Sequence, residues 1–79
     1  MVASVTPPRL TLGTNARLVH HLMNGMRVES AVRLRPGHAV EIQLDSRAGA
    51  RVLRASVASW VVTGLGSDGP TYAGTCEWT

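Results

Sequence analysis

The chain has 79 residues, of which 44% are hydrophobic and 16% charged, and eight arginines against five acidic residues give a net charge of +3. This composition excludes a disordered tail, and no run approaches the roughly 20 apolar residues that cross a membrane. The length allows one domain, and the single cysteine, Cys76, excludes an internal disulfide and is typical of a cytoplasmic protein.

The N-terminal segment is expected to be a flexible lead-in over residues 1–8, because Pro7 and Pro8 have no backbone N–H to donate. It lacks the apolar region of a signal peptide. The domain itself is expected to span residues 9–79. It opens with a short extended piece, which a turn-forming cluster at residues 13–15 ends.

The first long strand is predicted over residues 16–23. Apolar side chains fall on both of its faces, which predicts a strand that is covered on both sides. The dipeptide Asn24-Gly25 then predicts a two-residue type I′ hairpin turn with a positive φ at both residues. The returning strand should direct Met26 and Val28 inward.

A Pro-Gly turn at residues 36–37 precedes the clearest alternation in the chain. In the strand that follows, Val40, Ile42 and Leu44 share one face, and polar residues occupy most of the other. A loop is predicted next, over residues 45–50.

The longest strand is predicted over residues 51–62, and the glycine-rich residues 63–70 predict a mobile loop. Residues 71–78 close the chain as a last strand. No stretch has a helical pattern. Five to six short strands with turn signals between them predict an all-β fold, a small antiparallel β-barrel.

The order and spacing of these elements resemble a PilZ domain over residues 16–78. The resemblance is carried by the Gly-Met-Arg-Val-Glu-Ser strand from Gly25, by the turn and strand at residues 34–44, by the strand at residues 55–60, and by a closing strand with an aromatic residue after a glycine. It implies a PilZ-like β-barrel, which in many members of the family binds cyclic di-GMP.

Ligand-binding PilZ domains carry an Arg-x-x-x-Arg motif and an Asp/Asn-x-Ser-x-x-Gly motif. In this chain Arg9 is followed four residues later by Gly13, so the first motif is absent. In the second motif, His20 stands at the acidic position and Leu22 at the serine position, while Gly25 is kept. The resemblance therefore implies a degenerate member that does not bind cyclic di-GMP tightly.

Two alternatives remain open. One is a cyclic di-GMP receptor with an altered pocket built from Arg9, Arg17 and His20. The weaker one is a basic SH3-like barrel that binds nucleic acid, but the arginines are scattered rather than clustered, which disfavours it.

Neither a metal site nor catalysis is predicted. His20 and His21 are neighbours on a strand, so their rings should point to opposite faces and cannot hold one ion. No nucleophile, P-loop or dinucleotide motif occurs in the sequence, and Cys76 is expected to be a small core residue. We therefore expect a non-enzymatic protein without a cofactor.

A candidate interaction surface lies on the long predicted strand. If its apolar side chains fill the barrel, Arg54, Ser56 and Trp60 face outward, and Arg and Trp are enriched at interface hot spots. A bulge near Ser59 would instead turn Trp60 inward. We therefore expect a small signalling adaptor that binds another protein, or a second copy of itself, through this face.

Overall fold

The computed structural model describes residues 7–79, so most of the predicted lead-in at residues 1–8 lies outside the described residues. The described part forms six strands: β1 (Arg9–Thr11), β2 (Ala16–Leu22), β3 (Gly25–Ser30), β4 (Ala39–Ser46), β5 (Gly49–Gly66) and β6 (Gly69–Trp78). Among residues 7–79 there is no helix long and apolar enough to cross a membrane. The all-β class and the number of strands are confirmed.

The strands form one mixed sheet in the order β1-β4-β5-β6-β3-β2. β1 pairs with β4 in parallel, and the other neighbours pair antiparallel. Contrary to the prediction, the sheet is not closed into a barrel. β1 and β2 lie at opposite edges, and within the described residues only an isolated bridge joins the segments there, between Leu12 and Ala16. Closure needs a ladder between the two edge strands, and within the described residues β1 and β2 form none.

Every strand contributes to one hydrophobic core. The connector between β3 and β4 must cross β5 and β6, because those two strands lie between them in the sheet. Leu34 of this connector is buried in the core, so the core lies between the sheet and the connector. The buried core residues are Leu10, Ala16, Met26, Val28, Leu34, Val40, Ile42, Ala55, Val57, Trp60 and Cys76.

The alternation predicted for β3 and β4 is confirmed. Met26 and Val28 of β3 are fully buried, as are Val40 and Ile42 of β4. The residues between them are exposed or half-buried. These two strands contain no bulge in the ladders that join them to β6 and β5, so the two-residue period runs through them without interruption.

The Pro36-Gly37 turn also forms as predicted. The His38 N–H donates to the Arg35 carbonyl at 3.2 Å, and Gly37 has a φ of 88°. A positive φ at the third residue of a four-residue turn defines type II geometry and favours glycine there. The turn thus leads the connector into β4.

β2 is an edge strand rather than a strand covered on both faces. It pairs with β3 alone, and its last four residues are exposed. An irregularity between Leu18 and His20 inserts Val19 as an extra residue in the ladder. A bulge reverses the alternation of the residues that follow it. The apolar residues of β2 are therefore spread over both faces although the strand is not buried on both sides.

The turn after β2 lies one residue before its predicted position. It consists of Met23 and Asn24, and Gly25 already pairs with Leu22. Neither Asn24 nor Gly25 has a positive φ, so the predicted type I′ turn is wrong. Gly25 serves another purpose: an ideal Cβ on it would overlap the Cys76 carbonyl oxygen. The close approach of β6, rather than the turn, requires glycine there.

Two predicted loops, at residues 45–50 and 63–70, are tight hairpin turns between continuous strands. Each hairpin turns in two residues, and the glycine that follows has a positive φ, 123° at Gly49 and 108° at Gly69. Glycine adopts this conformation without steric cost. As a result, β5 extends to Gly66 and is 18 residues long.

Candidate interaction surface

Trp60 was predicted on the outer face, but it is buried in the core with 8% of its surface exposed. Between Val57 and Ser59, β5 contains an irregularity that adds Ala58 as an extra residue against β6. An extra residue reverses the alternation after it, and this turns Trp60 inward. The outward orientation is therefore wrong, and the alternative with a bulge near Ser59 is confirmed.

Two neighbours hold the Trp60 indole. Its Nε1–H donates to the Val32 carbonyl of the connector at 3.1 Å. Gly74 lies opposite Trp60 on β6, and an ideal Cβ there would lie 2.6 Å from the indole Cε3 and overlap the Ser59 carbonyl oxygen. Gly74 thus leaves room for the ring, and the hydrogen bond ties the connector to β5.

Arg54 and Ser56 stay near the surface without Trp60. Arg54 is exposed opposite Glu41 of β4, and Ser56 is half-buried opposite Ala39 on one side. The three residues of the predicted interaction surface therefore do not share one face. A role for Arg54 and Ser56 in binding stays a prediction.

Arg9 and Arg17, the cations of the alternative nucleotide pocket, lie on β1 and β2 at opposite edges of the sheet. Each forms an ion pair with a neighbouring strand: Arg9 with Glu41 at 3.3 Å, and Arg17 with Glu29. A carboxylate beside each guanidinium repels a phosphate. Both arginines are therefore engaged by acidic side chains, which disfavours a phosphate clamp.

The remaining motif positions are also dispersed. His20 is exposed opposite Arg27, and Leu22 is exposed at the end of β2. Gly25 is covered by the backbone of β6. A groove beside the start of β2 is lined by Arg17 but by none of the other motif positions.

The adjacent histidines His20 and His21 lie opposite Arg27 and Met26 in the ladder, so they face opposite sides of the sheet, as predicted. Residues 7–79 contain no group of three His, Cys, Asp or Glu side chains that could hold a metal ion.

Cys76 is fully buried between Met26 and Val57 of the neighbouring strands. Burial raises the pKa of its thiol to about 11. A thiol that is neutral and inaccessible is a poor nucleophile, so Cys76 is a small core residue, as predicted.

The largest exposed apolar feature of β5 and β6 is a two-stranded arm. β4 pairs with β5 only as far as Ser56, and β3 pairs with β6 only from Tyr72 onward. We call residues 61–72, which extend past these points, the β5–β6 arm. Its exposed apolar side chains are Val61, Val62 and Leu65, with 57%, 55% and 84% of their surfaces exposed.

Sequence reasoning missed this arm because its glycines indicated a loop. Two signals predict a strand here: residues 55–67 contain no charged residue, and they include the β-branched run Val61-Val62-Thr63. Such composition favours a strand.

One edge of β5 is unpaired along this region. Gly37 and His38 form backbone hydrogen bonds with Val57, at 2.7 and 2.9 Å. Beyond Val57, residues 58–66 pair with β6, and no backbone hydrogen bond joins them to another segment of residues 7–79. We call residues 58–66 the free β5 edge. Strand edges are commonly protected by charge, by proline, by short length or by bulges. This edge has no charge and no proline, and its irregularities are confined to Ala58 and Thr63.

A basic groove of about 400 Å³ adjoins the beginning of the free β5 edge. The groove lies next to this edge because His38, which lines the groove, accepts a backbone hydrogen bond from Val57. No acidic residue among residues 7–79 lines it. The lining consists of Pro7, Pro8, Arg33, Leu34, Arg35, His38 and Ala39.

Comparisons with protein-family models, with curated proteins and with solved structures find no match. The β5–β6 arm, the free β5 edge and the basic groove are therefore the features from which a function can be inferred.

Proposed function

We propose that this chain is a non-enzymatic binding module, a PilZ-like signalling adaptor that acts by contact with another protein. The observation that carries the proposal is the β5–β6 arm. A two-stranded ribbon by itself is at best marginally stable in water, and this one exposes 84% of Leu65. A partner that covers the arm removes apolar surface from water and adds backbone hydrogen bonds along the free β5 edge.

Tight binding of cyclic di-GMP is not part of this function. Arg9 and Arg17 each face a carboxylate, and His20 and Leu22 replace the acid and the hydroxyl that would pair with guanine. Isothermal titration is expected to detect no binding in the micromolar range. A low-micromolar or tighter Kd would replace the adaptor with the altered-pocket receptor.

Nucleic acid is disfavoured as the partner. The β5–β6 arm contains Asp68 as its single charged residue, whereas phosphate backbones are bound by clustered Lys and Arg. Retention on immobilised DNA or RNA that falls steeply with added salt would overturn a protein partner.

Site-specific photocross-linking tests the arm as the contact surface. A photoreactive amino acid replaces Leu65 in one version and, in a matched control, Val52, which is 43% exposed on the same strand outside the arm. In cells that naturally contain the protein, we expect a polypeptide adduct at position 65 only, identified by mass spectrometry. Adducts at both positions alike, or at neither, would overturn the proposal.

A further inference from the structure

We propose that the polypeptide bound by the arm is a second copy of this chain, paired antiparallel along the free β5 edge. This inference rests on the proposed function and adds the partner and its geometry to it. Residues 58–66 of the two copies form a new ladder, and the two sheets become one continuous sheet.

The free β5 edge is long enough for such a ladder. Ala58 and Thr63 are extra residues in the ladder with β6, so the other seven residues of 58–66 give the edge a length of about 23 Å at about 3.3 Å per residue. The segment contains no proline, so every residue keeps a backbone N–H. Pairing with a second strand satisfies the outward-facing N–H and C=O groups that otherwise bond only to water.

The sequence of the edge favours pairing with itself. Antiparallel pairing of identical strands creates a two-fold axis and uses the same surface on both copies. Overlap of the whole edge places Val62 opposite Val62 of the second copy, and Ala58 opposite its Gly66. Because residues 55–67 are uncharged, no like charges face each other in this register.

The same register carries the acidic tip of each arm toward the other copy's basic groove. Ser67 and Asp68 form the turn directly beyond Gly66, so the tip lies near the level of Val57 in the second copy. At that level the line of the new ladder is already occupied by Gly37 and His38. The tip of the arm therefore stops against this segment.

The charges of the tip and of the groove are complementary. Asp68 is the only charged residue of the arm, and the groove carries Arg33, Arg35 and His38 without an acid. The two-fold axis repeats this contact, so each dimer contains it twice. Its charge pairs select this register over slipped ones.

Matched charges at position 62 test the pairing. Val62 is 55% exposed, so Val62→Lys and Val62→Glu leave the core in place. Each puts like charges opposite each other on the axis, and we expect each to raise the dimer Kd about fivefold or more in analytical ultracentrifugation. An equimolar mixture of the two variants should associate like the native chain, because Lys then faces Glu.

Val52→Lys is the matched control, since it adds the same charge to an exposed valine on the part of β5 that pairs with β4. It should dimerise like the native chain. A native chain that stays monomeric at the highest attainable concentration would overturn self-pairing. Val62 variants that associate as tightly as the native chain would overturn it too.

Charge reversal at the tip supplies a second measurement that does not alter the edge. Asp68→Arg and Arg35→Asp should each weaken the dimer, and their combination in one chain should restore it. A combined variant that dimerises no better than the single variants would overturn the contact between tip and groove.

Cross-linking at Leu65 separates this inference from the proposed function. An adduct between two copies supports both. An adduct between a monomeric chain and a different protein overturns the second copy as partner but leaves the arm as the binding surface. No adduct at all overturns both.

Discussion

The two ends of β5 share one geometry but differ in charge. The N-terminal end of β5 pairs only with β4, which β1 covers as far as Gln43, and the C-terminal end pairs only with β6. One edge of β5 is therefore open at each end. Around the turn to β4 the chain carries Asp45, Arg47 and Arg51, whereas the turn to β6 carries only Asp68. The exposed large apolar residues of β5 are concentrated at the C-terminal end.

Charge on an exposed edge prevents unwanted pairing, because another strand would have to desolvate it or face it with a like charge. The N-terminal end of β5 has this protection, and the C-terminal end does not. The fold thus makes two similar arms, and side-chain charge leaves only the β5–β6 arm open to a partner. The following variants test how the β5–β6 arm and the centre of the sheet differ in their effects on folding stability and association.

The largest effect is expected at Trp60, which lies at the base of the β5–β6 arm. Trp60→Ala should lower the free energy of unfolding by about 3–5 kcal/mol, because it leaves a cavity and frees the Val32 carbonyl. Chemical denaturation measures the loss. Hydrogen exchange should accelerate more in residues 61–72 than in the arm formed with β4. A near-normal melting temperature would contradict the buried position, while Trp60→Phe, which keeps a ring, should lose less.

A smaller loss is expected at Gly25, the buried first residue of β3. Gly25→Ala would place a Cβ into the backbone of β6, 2.9 Å from the Glu77 Cα, and should cost about 1–3 kcal/mol because backbone yields less readily than a side chain. Gly64→Ala is the matched control in the arm, where no atom lies within 4 Å of the added Cβ and φ is not positive. Equal thermal stability of the two variants would refute the close approach of β6.

Alkaline pH should weaken the centre of the sheet through Cys76. The thiol ionises near pH 9.0 in the unfolded chain and at about 11 in the folded one. Between these values the unfolded state has lost the proton that the folded state keeps, so the free energy of unfolding falls as pH rises, by up to about 3 kcal/mol in all. Cys76→Ala should remove this part of the pH dependence in denaturation curves. An unchanged slope in the variant would exclude the thiol as its source.

The smallest effect on folding is expected at the two arm surfaces. Leu65→Gln and Arg51→Gln should each change the free energy of unfolding of the monomer by less than about 0.5 kcal/mol, because both side chains are exposed. They should differ in association, which Leu65→Gln weakens and Arg51→Gln leaves unchanged. A large folding defect from Leu65→Gln would mean that the arm is packed rather than open.

The candidate site was less predictable than the strands that carry it. Arg9 and Arg17 can be read from the sequence as cations, but only the register of the sheet sets them beside Glu41 and Glu29. The basic groove was missed because the connector brings its members together by crossing the sheet. Neither the ion pairs nor the groove can be predicted from residues that are close together in the sequence.

The elements that could be predicted from the sequence are those set by interactions between neighbouring residues. The alternation of β3 and β4 and the Pro36-Gly37 turn are examples, since side-chain period and φ preference are properties of neighbouring residues. The orientation of Trp60, the need for glycine at position 25 and the open sheet depend instead on contacts between strands. The bulge at Ala58 reverses the residues that follow it, Trp60 among them, as far as the next irregularity at Thr63. Its geometry depends on the paired strand β6, where Gly74 leaves room for the indole.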